Sequence, residues 1–208
     1  MRVGKAAVPL GQVVADPARV ATPVAIGLGL VALAARAPSH WVWLVTAGVG
    51  VAGLLAPVPA VRAQGSRDAP SFSLTSWLMA LAIGLAAMVI AARLPGLLGL
   101  RPHGAGRIAF RVAPLAVFAS VVAAVAEEIF FRRLVYGWLV SSWGTVAAIC
   151  GSAVAFAAIH VPVYGVAVLP IDTAAGLLLG WQRWMTGGWS ASGLTHVAAN
   201  LIAEGVIP

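Results

Sequence analysis

The sequence predicts an all-α, polytopic transmembrane bundle of about seven spans. Three observations carry that prediction. Of the 208 residues, 61% are hydrophobic and 9% are charged, against about a quarter charged in soluble domains. Mean hydropathy is +0.98. The apolar residues fall in continuous runs close to the roughly 20 residues that a helix needs to cross a bilayer, without the alternation of a lipid-facing strand, which disfavours a β-barrel.

Runs between polar punctuation place the spans at 20–36, 41–61, 73–93, 112–140, 144–162, 165–182 and 189–207. The centres of the first three carry no ionisable residue, and small residues such as those of Gly48-Val-Gly-Val-Ala-Gly53 permit close helix approach. Residues 1–111 therefore read as a scaffold of about three spans, with loops at 62–70 and 93–107. Residues 112–208 read as a four-helix core within the same integral membrane unit. No repeat of fixed period and no inverted duplication is visible.

Net charge is +7, but the arginines and Lys5 are scattered singly between apolar runs instead of forming a basic face. They read as topology and headgroup anchors, so the partner is the lipid bilayer and not nucleic acid. With the N-terminus inside, Arg2, Lys5, Arg19, Arg62, Arg67 and Arg183 face Arg36, Arg93, Arg101, Arg107 and Arg111 across the membrane, too even a split to set orientation. A single cysteine, Cys150, excludes an internal disulfide and reads as a small buried hydrophobe. Pro9, Asp16 and Pro17 interrupt the first twenty residues before any apolar run, so no cleavable signal peptide is expected. Arg over Lys, with abundant Ala, Gly and Val, suggests a GC-rich bacterial genome and hence a bacterial cytoplasmic membrane.

An ionisable side chain in the hydrocarbon region costs about 2.5 kcal/mol or more, so each one there is a functional candidate. Nearly all lie in the last four spans: Glu127, Glu128, Arg132 and Arg133, then His160, then Asp172 and Arg183, then His196, Asn200 and Glu204. Glu128 and Arg132 are i and i+4 with the acid first, the favourable order for an ion pair. Glu127 lies about 100° round the helix, without such a neighbour, as a general base requires. His196, Asn200 and Glu204 form one stripe at i, i+4 and i+8. Counting about 1.5 Å per residue from the turns near Ser141-Ser142-Trp143 and Thr186-Gly-Gly-Trp189 puts Glu127 at about 21 Å, His160 at about 25 Å, Asn200 at about 16 Å and His196 at about 10 Å from one membrane face. On that count Glu127, His160 and Asn200 share a layer, with His196 a turn away. Asp172 is left between a structural and a proton-path role, and Glu204 reads as a solvated end residue.

The ordered set Glu127-Glu128-x-x-x-Arg132, Phe156-x-x-x-His160 and His196-x-x-x-Asn200 on three apolar helices resembles the CPBP family, the CaaX proteases and bacteriocin-processing (Abi) proteins related to type II CAAX prenyl endopeptidases. The resemblance covers about residues 112–207. It implies an intramembrane endopeptidase acting on a peptide or membrane-protein substrate, with Glu127, His160, His196 and Asn200 catalytic. In the family the glutamate activates water, the histidine after Phe assists, and the last His and Asn hold the substrate carbonyl. Glu128, Arg132 and Phe156 support them. Two histidines and a glutamate could also hold Zn²⁺, the ligands then being Glu127, His160 and His196; the metal-free reading is preferred. Two other readings stand beside it: a catalytically silent scaffold or bacteriocin-immunity partner, and a proton-coupled transporter, which the absence of matched broken helices disfavours.

Overall fold

Ser73 ends a polar stretch, and its hydroxyl accepts the backbone N–H of Ser76 at 3.0 Å, the bond an N-cap makes. The helix it starts, α1 (Leu74–Leu97), belongs to a computed structural model that describes residues 25, 48–51, 53–54, 73–97 and 114–206, the side chains at 94–97 and 162–163 excepted. The predicted spans at 20–36 and 41–61 and both predicted loops fall largely outside the described residues, as does the 111/112 boundary.

After α1 come α2 (Pro114–Glu128), a π-helical segment (Ile129–Val135), α3 (Tyr136–Tyr164), a 3-10 turn (Val166–Val168), α4 (Leu169–Thr186) and α5 (Ser190–Ala203), with no strand among the described residues. Among the described residues, Leu74–Arg93 and Pro114–Val161 are the two stretches long and apolar enough to cross a membrane. The second is not one rod. Gly144 adopts φ +82°, a conformation that strains any residue with a Cβ, and the chain doubles back there. Leu139 consequently packs on Gly151, and the Phe131 and Phe156 rings meet edge to face at 5.5 Å. The sequence turn expected near Ser141–Trp143 is this reversal.

The described residues therefore leave the count of seven spans unconfirmed. Polar residues interrupt the 18-residue α4, and the 14 residues of α5 reach only about 21 Å against a core of about 30 Å. Both helices pack on longer neighbours. The outer faces are apolar, with Leu78, Ile83, Ile90, Phe118, Val146 and Val154 all exposed, the surface that contact with lipid demands. Inside, Val49, Phe130, Phe131, Leu134, Val135, Tyr136, Leu139, Ala148 and Phe156 form the apolar core.

Glycines set the close approaches. A Cβ on Gly176 of α4 would stand 2.8 Å from the Ala153 Cα of α3, and one on Gly50 would stand 2.7 Å from the Ala126 Cβ. The second contact is the close approach expected of the small-residue run at 48–53. Gly84 of α1 makes room for Gln182, whose Nε2 donates to the Ala80 carbonyl at 2.7 Å and to Thr195 Oγ1 at 2.8 Å. One buried amide thus ties α1, α4 and α5 together.

Backbone atoms oppose a side chain at Gly176, so the helices must separate to admit one. Gly176→Ala should cost about 1–3 kcal/mol, read as a lower melting temperature of the detergent-solubilised protein. Gly188→Ala, where a Cβ meets nothing within 4 Å, should melt like the parent.

Candidate active site

The π segment begins directly after Glu128, and its first four residues, Ile129, Phe130, Phe131 and Arg132, are all buried. Tyr136 N–H bonds to the Phe131 carbonyl, five residues back. That step withdraws the amide an α-helix would bring to the Arg132 carbonyl, and Arg183 Nε donates to this oxygen instead, at 3.0 Å. The Arg183 guanidinium also lies 5.3 Å from the Tyr136 ring. Arg133 leaves the same segment outward and donates through Nη1 to the Gly53 carbonyl.

Arg132 points into the bundle and is fully buried. Its Nη2 donates to the Gly176 carbonyl at 3.3 Å, its Nε stands 3.5 Å from Glu128 Oε2, and its guanidinium lies 4.9 Å from the Phe156 ring centroid. Nε and Nη1 make no hydrogen bond among the described residues. The charge is met by the carboxylate and the ring face. The i, i+4 ion pair read from the sequence is present.

Glu128 has a second partner that helical spacing could not reveal. Its Oε1 lies 3.1 Å from His196 Nδ1. Because an ionised carboxylate only accepts, Nδ1 carries the proton in this contact, and Nε2 is the nitrogen left to face the site. That Nε2 lies 3.8 Å from Glu127 Oε2. His160 repeats the arrangement from the other side: Nδ1 lies 2.9 Å from the Phe156 carbonyl and 3.4 Å from Asp172 Oδ2, while Nε2 lies 3.9 Å from the same Glu127 Oε2. Phe156 fills the space between, its ring centroid 4.8 Å from that of His160 and 5.4 Å from that of His196.

Glu127, which sequence spacing left without a neighbour, is thus faced by two imidazoles from two other helices. Its side chain keeps 17% exposure while Glu128 has none. Tyr164 stacks on the other side of His160 at 5.9 Å and is exposed. The site is consequently shut toward the core and open near the end of α3.

Asn200 is placed differently from the residue count. Its Nδ2 donates to the Ser120 carbonyl at 3.2 Å, two turns before Glu127 on α2, whereas His196 joins the layer of Glu127 and His160. The count took the helices as parallel and put the two histidines about 15 Å apart in depth. Both approach one oxygen within 4 Å, so the equal depth of the two turns and the parallel helices that the count assumed do not hold together. Gln182, Thr195 and Ser120 are further polar partners that the motifs did not include. Gln182 was visible as a polar residue in an apolar run, but its partners lie on other helices.

The donor types also suit a metal. Two imidazole Nε2 atoms and a carboxylate, with Nδ1 held by Glu128 on one ring and by the Phe156 carbonyl beside Asp172 on the other, are the kinds of group that bind zinc and orient its ligands. The separations of 3.8 and 3.9 Å exceed the roughly 3.3 Å between ligands on a tetrahedral ion with bonds of about 2.0 Å. No set of three His, Cys, Asp or Glu among the described residues is arranged as a formed metal centre.

Residues 109–202 match the family described as Rce1-like, type II CAAX prenyl endopeptidase Rce1-like. This is the protease family that the three motifs resemble, and the match covers all of them in somewhat under half of the chain. The core is thus similar to CAAX-type intramembrane proteases in general. No curated protein and no solved structure matches the chain.

The adjacent glutamates should separate in a stability measurement. Glu128→Ala leaves Arg132 buried without its carboxylate and should cost about 3–5 kcal/mol. Glu127→Gln, at the half-open end of the site, should melt within about 0.5 kcal/mol of the parent.

Proposed function

We propose that the protein is an intramembrane endopeptidase that hydrolyses a peptide bond in a membrane-associated or peptide substrate, with Glu127 as the base that activates water. The observation that carries this reading is the convergence of His160 Nε2 and His196 Nε2 on Glu127 Oε2, at 3.9 and 3.8 Å. A water held at about 2.8 Å by both Glu127 Oε2 and His160 Nε2 would subtend an angle of roughly 90° at its oxygen, within reach of both groups.

Glu127 takes one proton from that water as its oxygen bonds to the scissile carbonyl carbon. The carbonyl π pair moves to oxygen, and the resulting oxyanion needs donors already aimed at it. His196 supplies one from Nε2 when its ring carries both protons, with Nδ1–H on Glu128. Asn200, the second donor of the sequence reading, stands at the Ser120 carbonyl, outside the layer of Glu127; its remaining Nδ2 hydrogen serves the oxyanion only where the bound substrate brings the carbonyl to that level. Collapse of the intermediate breaks the carbon–nitrogen bond, and the proton on Glu127 passes to the leaving amine. Glu128, Arg132 and Phe156 hold the imidazoles in place. A bacterial leader peptide or the tail of a membrane protein suits such a site, and a bacterial cytoplasmic membrane is the setting this reading proposes.

Were Zn²⁺ bound, Glu127, His160 and His196 would hold it and it would supply Lewis-acid polarisation of the carbonyl. We favour the metal-free chemistry, in which Glu127 keeps its oxygen for water.

Glu127→Gln should lower the cleavage rate about 10²–10⁴-fold in a leader-peptide fusion assay with the folded protein in detergent. An undiminished rate would sink the base assignment, while a protein that cuts nothing yet binds a partner equally with Glu127→Gln and His160→Ala would be a scaffold. Activity should also survive 1,10-phenanthroline; stoichiometric zinc lost together with activity would assign the metal.

A further inference from the structure

Asp172 takes no part in the reaction above, yet it brings a carboxylate into an apolar bundle. Its Oδ2 is buried and makes no hydrogen bond among the described residues. His160 Nδ1 stands 3.4 Å from it. The register that produces this contact comes from the Gly176–Ala153 approach. Asp172 lies one turn before Gly176 on α4, and His160 lies two turns after Ala153 on α3, so antiparallel packing of the small pair carries the acid toward the ring.

The geometry points to Asp172 as a positioning residue that fixes the tautomer and orientation of His160. This inference rests on the reading of Glu127 and His160 as the water-activating pair. At 3.4 Å the carboxylate does not take the Nδ1 hydrogen bond, which goes to the Phe156 carbonyl, but an acceptor-only charge beside Nδ1 favours a proton over a lone pair there and so favours the Nδ1–H ring, with the Nε2 lone pair toward Glu127. The Phe156 carbonyl at 2.9 Å favours the same tautomer, but as a helix carbonyl it sits on the ring's own helix. Asp172 comes from α4 and holds the ring from outside α3. Glu128 does the same for His196 across a different pair of helices, so each imidazole facing Glu127 has its own carboxylate behind it.

Only three Asp and four His occur in the chain, which makes the test spectroscopically sparse. Full-length protein labelled with ¹⁵N-histidine and ¹³C-aspartate is placed in lipid bilayers, with His160 assigned through His160→Gln. The wild type should show His160 as a single Nδ1–H tautomer with a through-space contact from Nδ1 to the Asp172 carboxyl carbon. Asp172→Asn, whose amide can present N–H to Nδ1, should bring a substantial Nε2–H population at His160 while the His196 signals stay put, and Asp172→Glu should restore the single tautomer. An Nε2–H ring in the wild type, a missing carboxyl contact or an unchanged spectrum in Asp172→Asn would each overturn the proposal. If Asp172→Asn does not fold, the wild-type tautomer and carboxyl contact decide alone. Retained cleavage by Glu127→Gln would instead remove the base reading and leave the tautomer result standing.

Discussion

The interior is organised around the Glu128 carboxylate. It is fully buried, with Arg132 at one oxygen and His196 at the other. A buried ion pair of this kind adds little net stability, because desolvation offsets most of the attraction. What it does is specify geometry: an ionised acid away from water accepts only arrangements that bring donors to it. Arg132 in turn reaches the Gly176 carbonyl on α4 and the Phe156 ring on α3, while His196 comes from α5. Four helical elements are located by one negative charge, and the neighbouring Glu127 is left to face the two histidines.

The common wiring of the two histidines explains why three acids occupy so small a volume. Each imidazole presents Nε2 to Glu127 and Nδ1 to a different carboxylate, Asp172 for His160 and Glu128 for His196. Neither supporting acid lies on the same helix as the ring it supports. The ring orientations therefore depend on the packing of α3 on α4 and of α2 on α5, and packing there is set by small residues such as Ala153 and Gly176. Residues that touch no reacting atom hold the chemistry in register.

Much of this was legible in the sequence where the information is local. Continuous apolar runs gave helices, Gly144 lies at the predicted reversal, and the i, i+4 spacing of Glu128 and Arg132 gave their ion pair. The order of the three motifs led to the same family that residues 109–202 match. Information that depends on how helices lean was not legible. Residue counting put Asn200 beside Glu127 and His196 a turn away, whereas His196 approaches Glu127 and Asn200 bonds to Ser120. The partners of Gln182 and Asp172 belong to other helices, and no spacing rule joins residues 80, 182 and 195, or 160 and 172. The π segment was equally hidden, since Ile129–Val135 reads as ordinary apolar helix.

That segment also makes the length of the motif as binding as its composition. A helix presents its side chains by a screw operation, and every residue added or removed turns all that follows by about 100°. The widened turn after Glu128 contains the equivalent of one surplus residue, absorbed by the Tyr136-to-Phe131 bond and by Arg183 at the released carbonyl. Because the surplus is absorbed locally, the helix on either side keeps its face. A chain one residue shorter between Glu128 and Tyr136 could run through as plain α-helix with Tyr136 and Leu139 still inward, but the amide now held back would return to the preceding turn and compete for the carbonyl that Arg183 holds, so the length of this stretch governs what α4 can bond to rather than which side chains face the core.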